Sequence, residues 1–237
     1  MASRSTRARG EGGDDGERRD PVHHPLFARY YARISVTAET RMGMAGVRDR
    51  LLAGLSGRVL EVGAGNGLNF AHYPRTVAEV VAIEPERVLR RLAVDAALRA
   101  AVPVDVVPGT AEALPVGNAG FDAVVLSLVL CSVRDVRRAL REVRRVLRPG
   151  GEVRFFEHGR GGGTLMRTAQ RALDGTLWPR LNGGCHLARD PVGALRAAGF
   201  DLGPYRRVLL PEKGPVLPAS YCSLGMAWRP LSDVRTV

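Results

Sequence analysis

Lysine is almost missing from this chain. Of 35 basic residues, 34 are arginine and only Lys213 is lysine. Against 24 acids they leave a formal net charge of +11. A surface for nucleic acid would interleave aromatic side chains with the basic ones. Aromatics are only 5% of this chain and do not alternate with the arginines. The arginine excess therefore reads as a bias in base composition, and nucleic acid is not an expected partner. A mild attraction to anionic surfaces is what remains of it.

Cysteine is scarce as well. Cys131, Cys185 and Cys222 are far apart, so no Cys-x-x-Cys metal motif and no disulfide framework is expected. Long apolar runs are lacking: the longest, about residues 123–131, is far too short to span a bilayer. No apolar core of a signal peptide stands in the first twenty residues. The expectation is a reduced, cytoplasmic protein with no integral membrane span. Nothing fixes an oligomeric state, and a monomer is expected.

What is present suits one folded domain of ordinary composition, 45% hydrophobic and 25% charged. Residues 1–20 are rich in Gly, Arg and acids and read as a disordered tail. The domain is expected over 21–237. Residues 24–55 read as two helices, the first showing one face through Phe27, Tyr30, Tyr31 and Ile34, the second spanning about 38–53. Strands are expected at 58–62, 77–84, 104–107, 121–128 and 151–157, then near 205–210 and 219–228. The run from Phe121 to Leu128 is apolar enough for a central parallel strand buried on both faces. Helices are expected at about 68–72, 86–100, 135–148 and 190–198. On the third of these, Val136, Ala139, Leu140, Val143 and Leu147 form the core stripe and six arginines occupy the rest, a solvated face. Residues 159–189 interrupt the strand–helix alternation with a glycine run and a helical stretch ending near Trp178-Pro179.

The strongest motif is Arg58-Val59-Leu60-Glu61-Val62-Gly63-Ala64-Gly65-Asn66-Gly67. A strand that feeds a glycine-dense turn is the entry to a nucleotide-binding α/β domain. The dinucleotide pattern Gly-x-Gly-x-x-Gly needs a third glycine at 68, where leucine stands. Glu61, two residues before Gly63, would repel a pyrophosphate. It suits a ligand with a cationic amino-acid part and no phosphate. Glu84, at the end of the second strand, is placed to accept hydrogen bonds from two ribose hydroxyls.

These residues stand in order with Gly109-Thr110-Ala111-Glu112-x-Leu114-Pro115, Phe121-Asp122-x-Val124 and Leu147-Arg148-Pro149-Gly150-Gly151. The set, over about residues 56–158, resembles the class I S-adenosylmethionine-dependent methyltransferases of the type 11 or ubiquinone-biosynthesis-like group. The resemblance implies a Rossmann-like fold: a seven-stranded, mostly parallel sheet, helices on both faces and a small helical cap. It implies S-adenosylmethionine as cofactor, S-adenosylhomocysteine as product and no metal. It places the cofactor on Glu61, Gly63, Ala64, Gly65, Asn66, Gly67, Glu84, Pro85, Thr110, Ala111, Glu112, Ser127 and Leu128. Thr110 departs from the group, which usually has Asp there.

A wider resemblance, through His24-Pro25-Leu26-Phe27-Ala28-Arg29, Leu128-Val129-Leu130-Cys131-Ser132-Val133, Glu157-His158 and Gly184-Cys185-x-Leu187-x-Arg189, is to the thiol S-methyltransferases of the methyltransferase-like family. Bacterial phospholipid N-methyltransferases share part of it. The animal proteins carry an apolar N-terminal anchor where this chain has a polar tail. The resemblance implies a small-molecule acceptor, a thiol sulfur, from secondary or xenobiotic metabolism. The alternative is O-, N- or C-methylation of a quinone, phospholipid or secondary metabolite. A thiol, with a pKa near 8.5, needs no strong base, and none stands out. His158, Tyr30 and Tyr31 are the candidates for catalytic roles. Phe27, Tyr30, Tyr31, Cys131, Leu177, Trp178 and His186 are the candidates for the acceptor pocket, with 24–55 and 159–189 as its cap.

Overall fold

Period-two alternation decides where each strand's side chains go. In the computed structural model, which describes residues 25–211 and 214–231, Val59 joins the core beneath one face of the sheet and Leu60 and Val62 the core beneath the other. Ala123 and Val125 repeat the first assignment, Val124 and Leu126 the second. The expected tail at 1–20 and the motif residue His24 lie outside the described residues.

Seven strands form one sheet in the order β3-β2-β1-β4-β5-β7-β6. They are β1 (Gly57–Val62), β2 (Val77–Ile83), β3 (Val104–Val107), β4 (Phe121–Ser127), β5 (Leu147–His158), β6 (Asp201–Leu209) and β7 (Tyr221–Trp228). The first five pair in parallel; β7 runs antiparallel between β5 and β6. The chain leaves β1 outward through β2 and β3, then returns to β4 on the other side. That reversal opens a crevice at the carboxyl ends of β1 and β4, where ligands of such sheets bind.

The helices are α1 (Pro25–Arg41), α2 (Met44–Leu52), α3 (Arg87–Ala97), α4 (Val136–Val146), α5 (Thr164–Asp174), α6 (Trp178–Leu181) and α7 (Pro191–Ala197). Residues of α2 and α3 pack on one face of the sheet, and residues of α4 and α7 on the other. None of the helices among the described residues is long and apolar enough to cross a membrane.

Several boundaries differ from the sequence reading, and strand β6 starts at Asp201 rather than near 205. Helix α1 runs unbroken to Arg41, because the weak helix propensity of Val36 and Thr37 costs only tenths of a kcal/mol; the break comes at Gly43, whose φ is 73°. The expected helix at 68–72 is a single 3-10 turn, Phe70–His72. Pro74 follows closely, and the Asn69 side chain is bonded to Glu61 rather than capping the turn. Strand β5 begins at Leu147, where that residue pairs with Phe121 before a register shift. The helical stretch of the insertion is split into α5 and α6 around Gly175 and Thr176.

Candidate active site

The turn after β1 is held to the end of β2: the N–H groups of Gly63 and Ala64 donate to the Ile83 carbonyl at 2.8 and 3.0 Å. Gly63, Gly65 and Gly67 all have positive φ, at 69°, 58° and 77°. Packing explains two of them. A Cβ on Gly63 would lie 2.7 Å from a Val129 methyl, and one on Gly67 would lie 2.7 Å from the Phe70 ring. At Gly65 the same atom would meet only the Tyr31 ring, at 3.5 Å. Gly65 is thus the open point of the loop. No basic side chain stands between Gly63 and Gly67.

The two acids near the loop have different surroundings. Glu84 is buried at the end of β2 and bridges two backbone donors, Gly65 N–H at 2.7 Å and Glu86 N–H at 2.8 Å. Burial outweighs those bonds and pushes its carboxyl up to about 7. Glu61 is buried and turned toward the 3-10 turn. Asn69 donates to one of its oxygens at 2.8 Å and the Tyr73 hydroxyl to the other at 2.7 Å. Burial raises it to about 7 as well, against the bonds from Tyr73 and Asn69 and the nearby Arg48 charge. Arg48 joins Asn69 to Glu39 of α1, at 2.6 and 2.7 Å. Both Glu61 oxygens are therefore engaged in bracing the loop from behind.

Of the other residues expected at the cofactor, Ala111 is buried in the same core cluster as Leu114, and Thr110 forms an isolated bridge with Ala113. The Glu112 carboxylate accepts from the Arg134 N–H at 2.9 Å, so it braces the turn that leads into α4, whose cap is Asp135. Pro85 is half-buried and its carbonyl accepts from Arg90. Asn66 reaches α1, donating to Ser35 Oγ at 3.0 Å. Ser127 closes β4, half-buried, and Leu128 follows it at a φ of 60°, its N–H on the Phe156 carbonyl at 2.7 Å.

Helix α1 lies over the loop through Tyr31 and Ser35. Tyr31 is half-buried, and its hydroxyl is raised by burial and by the nearby Glu84, against the pull of Arg48. Tyr30 is 57% exposed. The buried face of α1 is Ala28 and Ser35 with Tyr31 between them, one step round from the expected 27-30-31-34 stripe. Which side of an amphipathic helix meets the loop is a tertiary fact. Phe27 reaches across to the cap: its ring is 5.7 Å from that of Tyr31, and a Cβ on Gly183 would lie 2.5 Å from it.

A cavity of about 240 Å³ opens beside this arrangement. Tyr31, Met44, Leu128, Phe156, His158 and Cys222 contribute to its wall. His158, at the end of β5, has Nδ1 3.3 Å from Cys185 Sγ. Cys131, Cys185 and Cys222 are buried free thiols. His186 donates its backbone N–H to the Cys131 carbonyl at 2.7 Å, while its ring nitrogen sits 2.7 Å from the Gly184 carbonyl. Trp178 packs against the cluster of Cys131, Cys185 and Leu187. Leu177 is 59% exposed and borders a separate surface groove with Asp174 and Arg180. The structure thus gathers Phe27, Tyr31, Cys131, Trp178, His158 and His186 on one side and leaves Tyr30 and Leu177 outside.

A family model described as a methyltransferase domain matches residues 60–155. A thiol S-methyltransferase of Rattus norvegicus is 33% identical over 181 residues, 74% of this chain and 72% of that protein. The chain belongs to the class I S-adenosylmethionine-dependent methyltransferases. A ubiquinone/menaquinone biosynthesis C-methyltransferase of Syntrophotalea carbinolica is 31% identical over 170 residues, 67% of this chain and 70% of that one. A solved S-adenosylmethionine-dependent methyltransferase of Thermotoga maritima matches with a TM-score of 0.62 at 20% identity, covering 86% of this chain and 98% of that chain.

The site fits a methyltransferase's cofactor on its own evidence. S-adenosylmethionine carries no phosphate, and the loop offers backbone and no cation. A buried carboxylate beside that loop suits hydroxyl donors. The sequence reading assigned no role to Glu157, which organises the turn after β4. Its carboxylate accepts from the N–H groups of Val129, Leu130 and Cys131 at 2.8, 2.9 and 3.2 Å. Burial raises its carboxyl above the ordinary range despite those bonds. A signal was there: an acid next to the buried strand residues Phe155 and Phe156 must be paired. Gln170 had a weaker signal. Fully buried, it ties α5 to Gly159, Gly161 and Pro218.

Proposed function

We propose that this methyltransferase methylates the sulfur of a small thiol. In this reading the 63–67 loop holds the amino-acid part of S-adenosylmethionine, Glu84 takes its ribose hydroxyls, and Ala111 borders its adenine. The bound cofactor supplies an electrophilic methyl group on a sulfonium. The protein's part is to align the acceptor and exclude water. Tyr31, lying over Gly65, closes the loop side of the cavity, and His158 meets the acceptor from the end of β5.

The observation that carries the thiol reading is the wall of the 240 Å³ cavity, whose lining residues include no carboxylate and one imidazole, His158, which is tied up at 3.3 Å with the Cys185 sulfur. Phenols and amines at neutral pH ask for a base to take their proton. A thiol with a pKa near 8.5 already supplies a few per cent thiolate and asks for least. The rat relative, a thiol S-methyltransferase, supports the same assignment. The S. carbinolica relative keeps a second reading in view, C-methylation of a quinone ring, which an apolar wall of this kind also accommodates.

The test is turnover on a panel of small thiols, phenols, amines and quinols, read by mass spectrometry of the methylated product together with S-adenosylhomocysteine. Thiols as the best acceptors are expected. Methylation of quinols or phenols alone removes the thiol assignment.

A further inference from the structure

Three side chains come together at the carboxyl edge of the sheet: Cys131 after β4, His158 at the end of β5, and Cys185 in the loop after α6. One ligand atom from each, two thiol sulfurs and an imidazole nitrogen, lie within 4.8 Å of one another. The Cys185 Sγ to His158 Nδ1 separation is 3.3 Å. A tetrahedral zinc ion, with Zn–S about 2.3 Å and Zn–N about 2.0 Å, holds such atoms roughly 3.5–3.8 Å apart. The three groups are thus close to a zinc-sized triangle.

The triangle is built by its surroundings. Glu157 fixes the backbone of residues 129–131 by accepting three N–H groups. His186 N–H bonds the Cys131 carbonyl. Arg189 donates to the carbonyls of Leu130 and Val133 at 2.6 and 2.7 Å. The Asp174 carboxylate accepts from Leu187 and Ala188 at 2.7 and 2.9 Å. Gly184, at a φ of 86°, presses on the Ser132 carbonyl so closely that a Cβ would lie 2.7 Å from that oxygen. These contacts stitch the loop that carries Cys185 onto the turn that carries Cys131.

We propose that Cys131, His158 and Cys185 bind one zinc ion, whose fourth position receives the acceptor's sulfur. Soft sulfur donors with an imidazole select zinc over magnesium or calcium. Three protein ligands with an open fourth place are the pattern of a catalytic rather than a structural zinc site. No fourth His, Cys, Asp or Glu belongs to the group among the described residues. Two features point to an outside occupant. His158 lines the 240 Å³ cavity. The indole N–H of Trp178, packed against the same cysteines, is buried without a hydrogen-bond partner.

The role, though not the site, rests on the thiol reading. An acceptor R–SH coordinates, its S–H bond breaks, and the proton leaves to solvent. The bound sulfur's electron pair forms the new bond to the methyl carbon. The carbon–sulfonium bond breaks, and its pair stays on S-adenosylhomocysteine. The neutral thioether, a poorer ligand than the thiolate, departs. The ion thereby takes over the deprotonation for which the cavity offers no carboxylate.

The full chain, stripped with chelator, is titrated with Co²⁺ as a spectroscopic stand-in for Zn²⁺. One ion per chain with a sulfur-to-cobalt charge-transfer band is expected, lost in Cys131→Ser and Cys185→Ser and kept in Cys222→Ser. X-ray absorption on the zinc-loaded native chain gives the same answer without variants: two sulfurs and one nitrogen from the protein. Adding a thiol acceptor should change the cobalt spectrum. Failure to bind, or binding that the two Ser variants leave unchanged, overturns the proposal. So does full thiol turnover by the metal-free chain, which leaves the thiol reading standing. A loaded chain with two sulfurs and one nitrogen that methylates only quinols supports the site and removes the thiol reading.

Discussion

The backbone N–H of Gly65 donates to Glu84 Oε2 at 2.7 Å, so a carboxylate at the end of β2 holds the open point of the glycine loop. The acid read from the sequence as a sugar ligand is also part of the frame that presents the loop.

Replacing that carboxylate by an amide should therefore weaken the cofactor twice over. A hydrogen bond to a charged group contributes about 1.5–3 kcal/mol. Glu84→Gln should raise the dissociation constant for S-adenosylmethionine roughly 10- to 100-fold. Calorimetric titration reads this directly, and an unchanged affinity removes Glu84 from the site.

The same group gives binding a pH dependence. With its carboxyl raised to about 7, Glu84 is largely protonated in the free chain at pH 6. Ribose hydroxyls donate better to the anion, so affinity should rise with pH through about 7 and then level off. The Glu84→Gln variant should show a flat profile. A profile in the native chain that is flat between pH 6 and 8 contradicts the assignment.

Stability of the cofactor-free chain should run the other way. Glu61 and Glu84 have folded values raised from 4.5 to about 7. Between those limits the folded chain binds more protons than the unfolded one. The stabilisation is complete below the unfolded value and is lost as pH rises to about 7. For Glu61, fully buried, the loss is up to about 3 kcal/mol. Denaturant melts at pH 5 and pH 7.5 measure it, and Glu61→Gln should shrink the difference.

The three glycines should respond differently to a methyl group. Gly65→Ala meets ordinary contact and pays mainly for its positive φ, about 1 kcal/mol. Gly63→Ala adds an overlap with Val129 and should cost several times more, about 2–4 kcal/mol. Chemical melts rank them; equal costs contradict the packing described for the loop. Gly65→Arg, which fills the open point, should abolish cofactor binding in a chain that still folds.

Glu157→Ala should be among the most damaging single changes. It leaves three buried N–H groups without their acceptor. At about 1–3 kcal/mol each, the loss exceeds about 3 kcal/mol. Glu157→Gln, which keeps an acceptor oxygen, should recover part of it. A thermal shift of less than a few degrees for the Ala variant contradicts this.

Much of the frame was legible because strands declare themselves locally. The apolar runs at Val59–Val62 and Phe121–Leu126 and the punctuation by glycine and proline placed β1 to β5 and the crevice between β1 and β4. The place of Glu84 was legible for the same reason, as it follows directly from the end of β2. Tyr30 was not, since spacing along α1 shows that a stripe exists and not which residue of it meets the loop. Glu61 has a motif position but spends both oxygens on Asn69 and Tyr73. The Cys131–His158–Cys185 group was least legible. His158 stands 27 residues from Cys185, and only the adjacency of β4 and β5 with the folded-back 182–189 loop brings the three together.

Gln170 anchors the cap at three points on the sheet edge and on the segment before β7. An element tied down in that way acts as fixed masonry rather than a swinging door. Acceptor preference should then be exchangeable by transplant: side chains of 173–184 can be traded among relatives, while the cofactor's grip proposed for the 63–67 loop and Glu84 stays with the recipient.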